Sequence, residues 1–214
     1  MKMTSSFDIT EQIYSQTNFE KLNEKLKLTG RILHYTKGVT LQTRKGEILI
    51  VLSGQMTVSD SNNGGLAIGH TFSFMPLGLI EHYYHLPLRY HTETETSAIQ
   101  LSMEEFNAIF FHTPEFAELL CRIMAYMSSS LIHIYYERNN ESGYATIREM
   151  LHRYMFKTKQ GTLGNEGIAA FILKRTRLSR SYVFQVLAGL KAGHYITVHN
   201  GKLKSINRDI PERF

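Results

Sequence analysis

The chain has 214 residues, 43% hydrophobic and 20% charged, a composition that suits one large or two small folded domains and excludes wholesale disorder. No apolar run approaches a bilayer span, the start MKMTSSFDITEQ lacks the apolar core of a signal peptide, and a lone Cys121 excludes an internal disulfide framework or a thiolate metal site. The net charge of +5 is unevenly placed: residues 145–214 hold 13 Lys+Arg against 4 Asp+Glu, a net of +9, and residues 1–144 carry −4. A reducing, cytoplasmic location is expected, with a positive field at one end of the molecule.

Residues 1–28 read as a helical segment, with Ile9, Ile13, Phe19, Leu22 and Leu26 spaced along a polar background. From Gly30 the pattern changes to short strands: Ile32–Thr36, Val39–Thr43, Glu47–Leu52, Gln55–Ser59, Leu66–Phe74 and Arg89–Ser102. Lys37-Gly38, Lys45-Gly46, Ser53-Gly54 and the loop Asp60–Gly65 punctuate them. Strands at this spacing predict an antiparallel barrel or jelly roll over residues 29–112.

Ser102 and Glu105 have the spacing of a capping box for a short helix through Phe111. Thr113-Pro114-Glu115 supplies an N-cap, a proline at the first helical position and an acid in the first turn. The helix beyond it is expected to run to about Arg138, within a segment bounded at 113–142. Phe116, Leu120, Ile123, Met127, Leu131 and Ile134 step along it by three or four, widened by Leu119, Met124 and Ile132. So broad an apolar face is expected to pack partly on the barrel and partly in a parallel two-helix dimer, with that six-residue stripe as the contact. Cys121, among Leu119, Leu120 and Ile123, reads as an inert core thiol.

Residues 143–214 form the basic end. Ser179 is a good N-cap for a helix in which Val183, Val186, Leu187 and Leu190 recur at helical spacing, leaving Arg180, Ser181, Tyr182 and Gln185 toward the outer face. Ile196–His199 and Lys202–Ile206 flank Asn200-Gly201, whose type I′ turn needs positive φ at both central residues. Helix, turn, helix and basic hairpin describe a winged helix-turn-helix, and Lys174, Arg175, Arg177 and Arg180 lie across its turn. The fold class is therefore α+β: β-roll, long dimerisation helix, winged helix-turn-helix. Its expected partner is double-stranded DNA, with the chain acting as a homodimer.

This order of parts resembles the CRP/FNR superfamily of bacterial transcription regulators over nearly the whole chain. LSRSYVFQVLAGL at 178–190 is similar to that family's recognition helix. The match implies that Arg180, Ser181 and Gln185 read base edges. It also implies that Arg175, Arg177, Ser179, Tyr182 and, from the wing, His199 and Lys202 contact phosphates, with RNA polymerase as a further partner. The resemblance is closer to the enterobacterial inhibitor-of-peroxide-resistance branch, which implies a role in oxidative-stress or surface-structure gene control and a cyclic-nucleotide-binding-like β-roll.

The chain departs from the cyclic-nucleotide binders of that superfamily, which place an Arg-Ser pair on the cyclic phosphate. Those slots fall here on Leu86 and Pro87, three residues from Arg89, and Glu81 is displaced from Gly78. No cAMP binding is expected, since a buried phosphate wants a charge-assisted partner. One cysteine also excludes an iron–sulfur cluster. His70, His82, His85 and His91 leave a haem or divalent metal conceivable through the His82-x-x-His85 pair, although no complete metal site is expected. Two other classes fit parts of the pattern: a cupin-like metal enzyme built on Glu81, His82, His85, His91 and Glu93, and a non-enzymatic adaptor that keeps the barrel only for dimerisation. No Ser/His/Asp, P-loop or dinucleotide-binding pattern supports an enzyme.

Overall fold

The computed structural model describes residues 6–61, 66–84, 86–138, 142–159, 161, 163 and 165–212. They form two compact units, whose division falls between His133 and Ile134 apart from residues 66–68, which group with the second.

The first unit opens with helices α1 (Ser6–Ser15) and α2 (Glu20–Thr29). Strands β1 (Arg31–Tyr35), β3 (Glu47–Ser53), β6 (Pro76–Leu77) and β8 (Thr96–Ser102) make one sheet, ordered β1-β8-β3-β6. Strands β2 (Thr40–Leu41), β4 (Met56–Asp60), β5 (Ala67–His70) and β7 (Leu88–Thr92) make the other, ordered β2-β7-β4-β5. This is the expected roll. Strand β3 is central in its sheet and buried from Ile48 to Val51, as a strand covered on both faces must be. Ile48 and Ile50, with Ile99 and Leu101 of β8, pack against Leu22 and Leu26 of α2 and against Phe106, Ile109 and Phe110 of α4 (Met103–Phe110). The capping box of α4 is complete: Glu105 N–H donates to Ser102 Oγ at 3.1 Å, and Ser102 N–H donates to Glu105 Oε2 at 2.7 Å.

Two stretches differ from the sequence reading. Arg89–Ser102 is two strands, β7 and β8, parted at Glu93–Glu95, because the chain must leave one sheet and enter the other. Between β6 and β7 lies a one-and-a-half-turn helix, α3 (Leu79–Tyr84), which gives no periodic signal at that length. His85 and the tip of the expected loop at 60–65 lie outside the described residues.

Helix α5 (Pro114–Arg138) has the expected length but divides its faces differently. Phe116, Leu120 and Ile123 pack into the roll's own core with Tyr126, and Met127 and Ile134 are buried too. They are therefore not the dimer contact expected of them; of the six, Leu131 alone is exposed. The outward row is instead Glu118, Cys121, Ala125, Ser128, Ile132 and Tyr135, at steps of three and four. Cys121 is exposed, which overturns its reading as a core thiol. Where both faces carry apolar residues, the roll took the bulkier one.

An aromatic cluster ties α1 into the same unit. Tyr14 stacks on Tyr126 at 4.2 Å and meets Phe72 edge-on at 5.3 Å, while its hydroxyl donates to the Ser73 carbonyl at 2.7 Å. Burial pushes the Tyr14 phenol well above its usual range.

The turn between β3 and β4 is a tight constraint on the roll. Gly54 has φ +85°, and a Cβ there would lie 2.3 Å from the Glu95 carbonyl oxygen. Gly54→Ala is expected to destabilise the first unit by about 2 kcal/mol or more, since a left-handed penalty and a clash with backbone add. Urea unfolding against wild type measures it, and an unchanged midpoint contradicts the constraint.

Candidate nucleic-acid interface

The second unit is built on three helices, α6 (Gly143–Lys159), α7 (Ile168–Arg175) and α8 (Arg180–Ala192), and a ribbon, β9 (Ile196–His199) with β10 (Lys202–Ile206). Val183, Val186, Leu187 and Leu190 line the inner face of α8. They pack with Ile147, Met150 and Leu151 of α6, Phe171 and Ile172 of α7, and Ile196 and Leu203 of the ribbon. At about 1.5–3 kcal/mol for each large apolar side chain buried, this stripe fixes which way α8 is turned. Arg180, Ser181, Phe184 and Gln185 are thereby exposed together on its outer face.

The start of α8 is held open toward solvent. Ser179 Oγ accepts from the Tyr182 N–H at 3.3 Å, and the first turn holds no acidic residue. One turn earlier Thr176 Oγ1 donates to the Ile172 carbonyl at 3.0 Å, which closes α7. A helix N-terminus with orphan N–H groups, no local carboxylate and Arg177 and Arg180 beside it attracts phosphate.

The wing tip has the expected backbone, with φ +48° at Asn200 and +73° at Gly201. It is docked rather than loose. The Ile168 N–H donates to the Gly201 carbonyl at 2.8 Å, and Gly167 leaves just enough room, since a Cβ there would stand 3.0 Å from that oxygen. Lys202 Nζ donates to Asn165 Oδ1 at 2.5 Å, so the wing cation is steered by a side chain that precedes α7. His199 is exposed on the same ribbon.

Two expected DNA contacts are placed otherwise. Arg175 is 3% exposed: its Nη1 donates to Glu166 Oε2 at 2.9 Å and to the Phe171 carbonyl at 3.0 Å, and its guanidinium lies 3.8 Å from the Phe171 ring centre. It is a core pin and not a phosphate contact. Its helical spacing from Phe171 and Ile172 carries it inward, and Glu166 supplies the counter-charge. Tyr182 is half-buried and leans over Gly143, where a Cβ would come within 2.8 Å of its ring, so only part of it faces outward. Conversely, Phe184, 47% exposed with the Arg180 guanidinium 5.5 Å from its ring centre, was not expected. The signal was its place one helical turn after Arg180.

In the described part of the roll, Arg31, Arg44 and Lys45 line a cleft of about 540 Å³ shared with Glu47 and Glu105. Leu88, Tyr90 and Thr92 of β7 point inward, which turns Arg89 and His91 outward; Arg89 is exposed, and His91 Nδ1 sits 2.9 Å from Thr40 Oγ1. At the expected phosphate slots Leu86 is exposed and Pro87 half-buried. Beside them a cleft of about 290 Å³ is lined by Thr43, Arg44, Lys45, Glu81, His82 and Leu86 among others. Glu81 Oε1 accepts from the Tyr90 hydroxyl at 2.5 Å and from Thr43 Oγ1 at 3.2 Å, while Glu81 Oε2 and His82 Nδ1 are buried without a partner. Burial, then the Glu81 carboxylate, pushes the Tyr90 phenol far above its usual range. Glu93 is occupied with Thr57 Oγ1 at 2.5 Å. Glu81, His82, His91 and Glu93 thus have separate partners or faces, His70 is half-buried on β5, and no described group of three or more His, Cys, Asp and Glu is placed to hold a metal ion.

Residues 143–212 match the family described as winged helix-turn-helix DNA binding. A 42-residue segment is 55% identical to the inhibitor of hydrogen peroxide resistance of Salmonella typhimurium, and the match spans 20% of this chain and 20% of that relative. Among solved structures, the c-di-GMP responsive global regulator CLP of Xanthomonas campestris superposes with a TM-score of 0.66 at 14% identity, over 86% of this chain and 97% of its own. A transcriptional regulator assigned to the CRP/FNR family, from Eubacterium rectale, gives 0.66 at 15% identity over 91% and 93%. At these identities the likeness is one of fold: a roll followed by a C-terminal winged helix-turn-helix.

The two arginines flanking the turn are expected to separate in experiment. Arg175→Ala should lower the stability of the second unit by about 3 kcal/mol, because it strands Glu166 beside the core. Arg180→Ala, at an exposed site, should change it by less than about 0.5 kcal/mol. Urea titrations of the two variants decide, and equal losses contradict the assignment of Arg175 to the core.

Proposed function

We propose that this chain is a sequence-specific transcriptional regulator that binds double-stranded DNA as a homodimer in the cytoplasm and needs no cAMP. The observation that carries the reading is the exposed row Arg180, Ser181 and Gln185 on α8, in a domain matching a DNA-binding family and carrying a net charge of +9 from residue 145 onward. In the major groove Arg180 would donate to guanine O6 and N7, and Gln185 to adenine, while Ser179, Arg177, His199 and Lys202 hold the backbone. The name of the Salmonella relative supports genes of peroxide resistance as the regulated set, and RNA polymerase is the proposed machinery acted upon.

Independence from cAMP is supported by Leu86 and Pro87 standing where an Arg-Ser pair would hold the cyclic phosphate. The cleft beside Leu86 holds the Glu81 carboxylate together with Arg44 and Lys45, and Arg89 is turned to the opposite face. The scattered partners of Glu81, His82, His91 and Glu93 favour a binding protein over an enzyme. Among the described residues no helix is long and apolar enough to cross a membrane.

Dimerisation is proposed along the outward row of α5, where Ile132 and Tyr135 continue the small residues Cys121, Ala125 and Ser128 at coiled-coil spacing. In a parallel two-fold pair, identical residues of this row face each other. Mild oxidation with diamide should then yield a covalent dimer through Cys121 at concentrations where Ile132→Glu yields monomer. A wild-type chain that stays monomeric by light scattering and uncrosslinked contradicts the seam.

Selection of genomic fragments by the purified protein, read by sequencing, tests the DNA reading. A palindrome with half-sites about 10 base pairs apart is expected, unchanged by 1 mM cAMP and lost in Arg180→Ala, which should cost about 1–3 kcal/mol of specific binding. Lys202→Ala should weaken all sequences alike and reduce the salt slope by about 1. No enriched sequence, or a palindrome that survives Arg180→Ala, overturns the assignment.

A further inference from the structure

Phe184 is the large hydrophobic residue that the described part of 143–212 leaves exposed, at 47%. The other large apolar side chains described there are buried or half-buried, so this ring is the one left with most of its surface to offer a partner. It lies between Ser181 and Gln185 on the outer face of α8, one helical turn beyond Arg180. The guanidinium of Arg180 sits 5.5 Å from its ring centre, a distance at which a cation and an aromatic face attract. Stacking of this kind restrains the guanidinium while leaving its N–H edges open, as a reader of guanine requires.

The occupant of an apolar surface in that position follows from the chemistry of the groove. Base edges in the major groove present donors and acceptors throughout, and their apolar feature is the thymine C5-methyl. One turn of helix advances about 5.4 Å, against about 3.4 Å per base-pair step, so neighbours at this spacing address base pairs one or two apart. We propose that Phe184 is a specificity-determining residue whose ring packs on the C5-methyl of a thymine one or two base pairs from the pair read by Arg180. The inference rests on the DNA-binding reading above and deepens it: each half-site should contain a guanine and, within two steps, a thymine recognised by its methyl group alone.

The test uses the full-length protein and the operator recovered by selection. Each thymine in a half-site is replaced in turn by deoxyuridine, which removes the methyl and keeps every hydrogen-bonding group, and Kd is measured for wild type, Phe184→Ala and Phe184→Leu. Wild type should lose about fourfold per half-site at one thymine, the worth of burying one methyl group. Phe184→Ala should bind the thymine and uracil operators equally, and Phe184→Leu should restore part of the difference. Because the side chain is exposed, all three proteins should melt together, which separates a lost contact from a lost fold. Indifference of wild type to every such replacement overturns the inference, as does a Phe184→Ala protein that stays as sensitive as wild type. Failure to select any operator overturns the regulator reading and this inference with it, an outcome distinct from an operator that ignores the methyl.

Discussion

The buried stripe of α8 is the contact on which the rest of the interface depends. Val183, Val186, Leu187 and Leu190 are each sealed against α6, α7 and the ribbon, and no other rotation of the helix hides all four. That rotation sets the outward row. It also sets the approach: Ser179 caps α8 where Thr176 ends α7, so the helix begins at the surface with its N–H groups pointing out. The wing is fixed to the same frame by the Gly201 carbonyl and by Asn165, instead of swinging from its hairpin. Recognition surfaces need this rigidity because a base contact misplaced by an ångström is no contact.

Charge along the chain and charge on the surface turn out to be different quantities. Of the basic run Lys174, Arg175, Arg177 and Arg180, Arg175 is folded inside, paired with Glu166 and laid over Phe171. Its positive charge is neutralised locally, so it contributes little to the field that a phosphate backbone would feel. A buried ion pair of this kind contributes little net stability, yet losing one partner is costly, so it enforces specificity of packing more than strength.

How much of this was legible in the residues depends on whether a local rule governed them. The capping box at Ser102 and Glu105, the N-cap at Ser179 and the Asn200-Gly201 turn are short-range chemistry, and each formed as read. The length of α5 was legible for the same reason. Its two faces were not, because the apolar row Phe116–Ile134 looks the same in sequence whether it is covered by the roll of its own chain or by a second chain. Arg175 was not legible because a guanidinium over Phe171 leaves no pattern in a single sequence; its partner Glu166 lies nine residues earlier, just before the start of α7. Phe184 is of a side-chain type ordinarily found inside, so its exposure could not be read from its identity.

The roll shows why likeness of fold and likeness of ligand part company. Its architecture is specified by apolar positions such as Ile48, Ile50, Ile99 and Leu101, which tolerate wide exchange so long as volume and register hold. A ligand site is specified by a few charges, and one substitution of sign there changes the chemistry altogether. Here a half-satisfied carboxylate at Glu81 shares its cleft with Arg44 and Lys45, and Leu86 and Pro87 stand at the slots where a cyclic phosphate would need an Arg-Ser pair. At 14% identity, superposition with the Xanthomonas regulator carries over the scaffold alone.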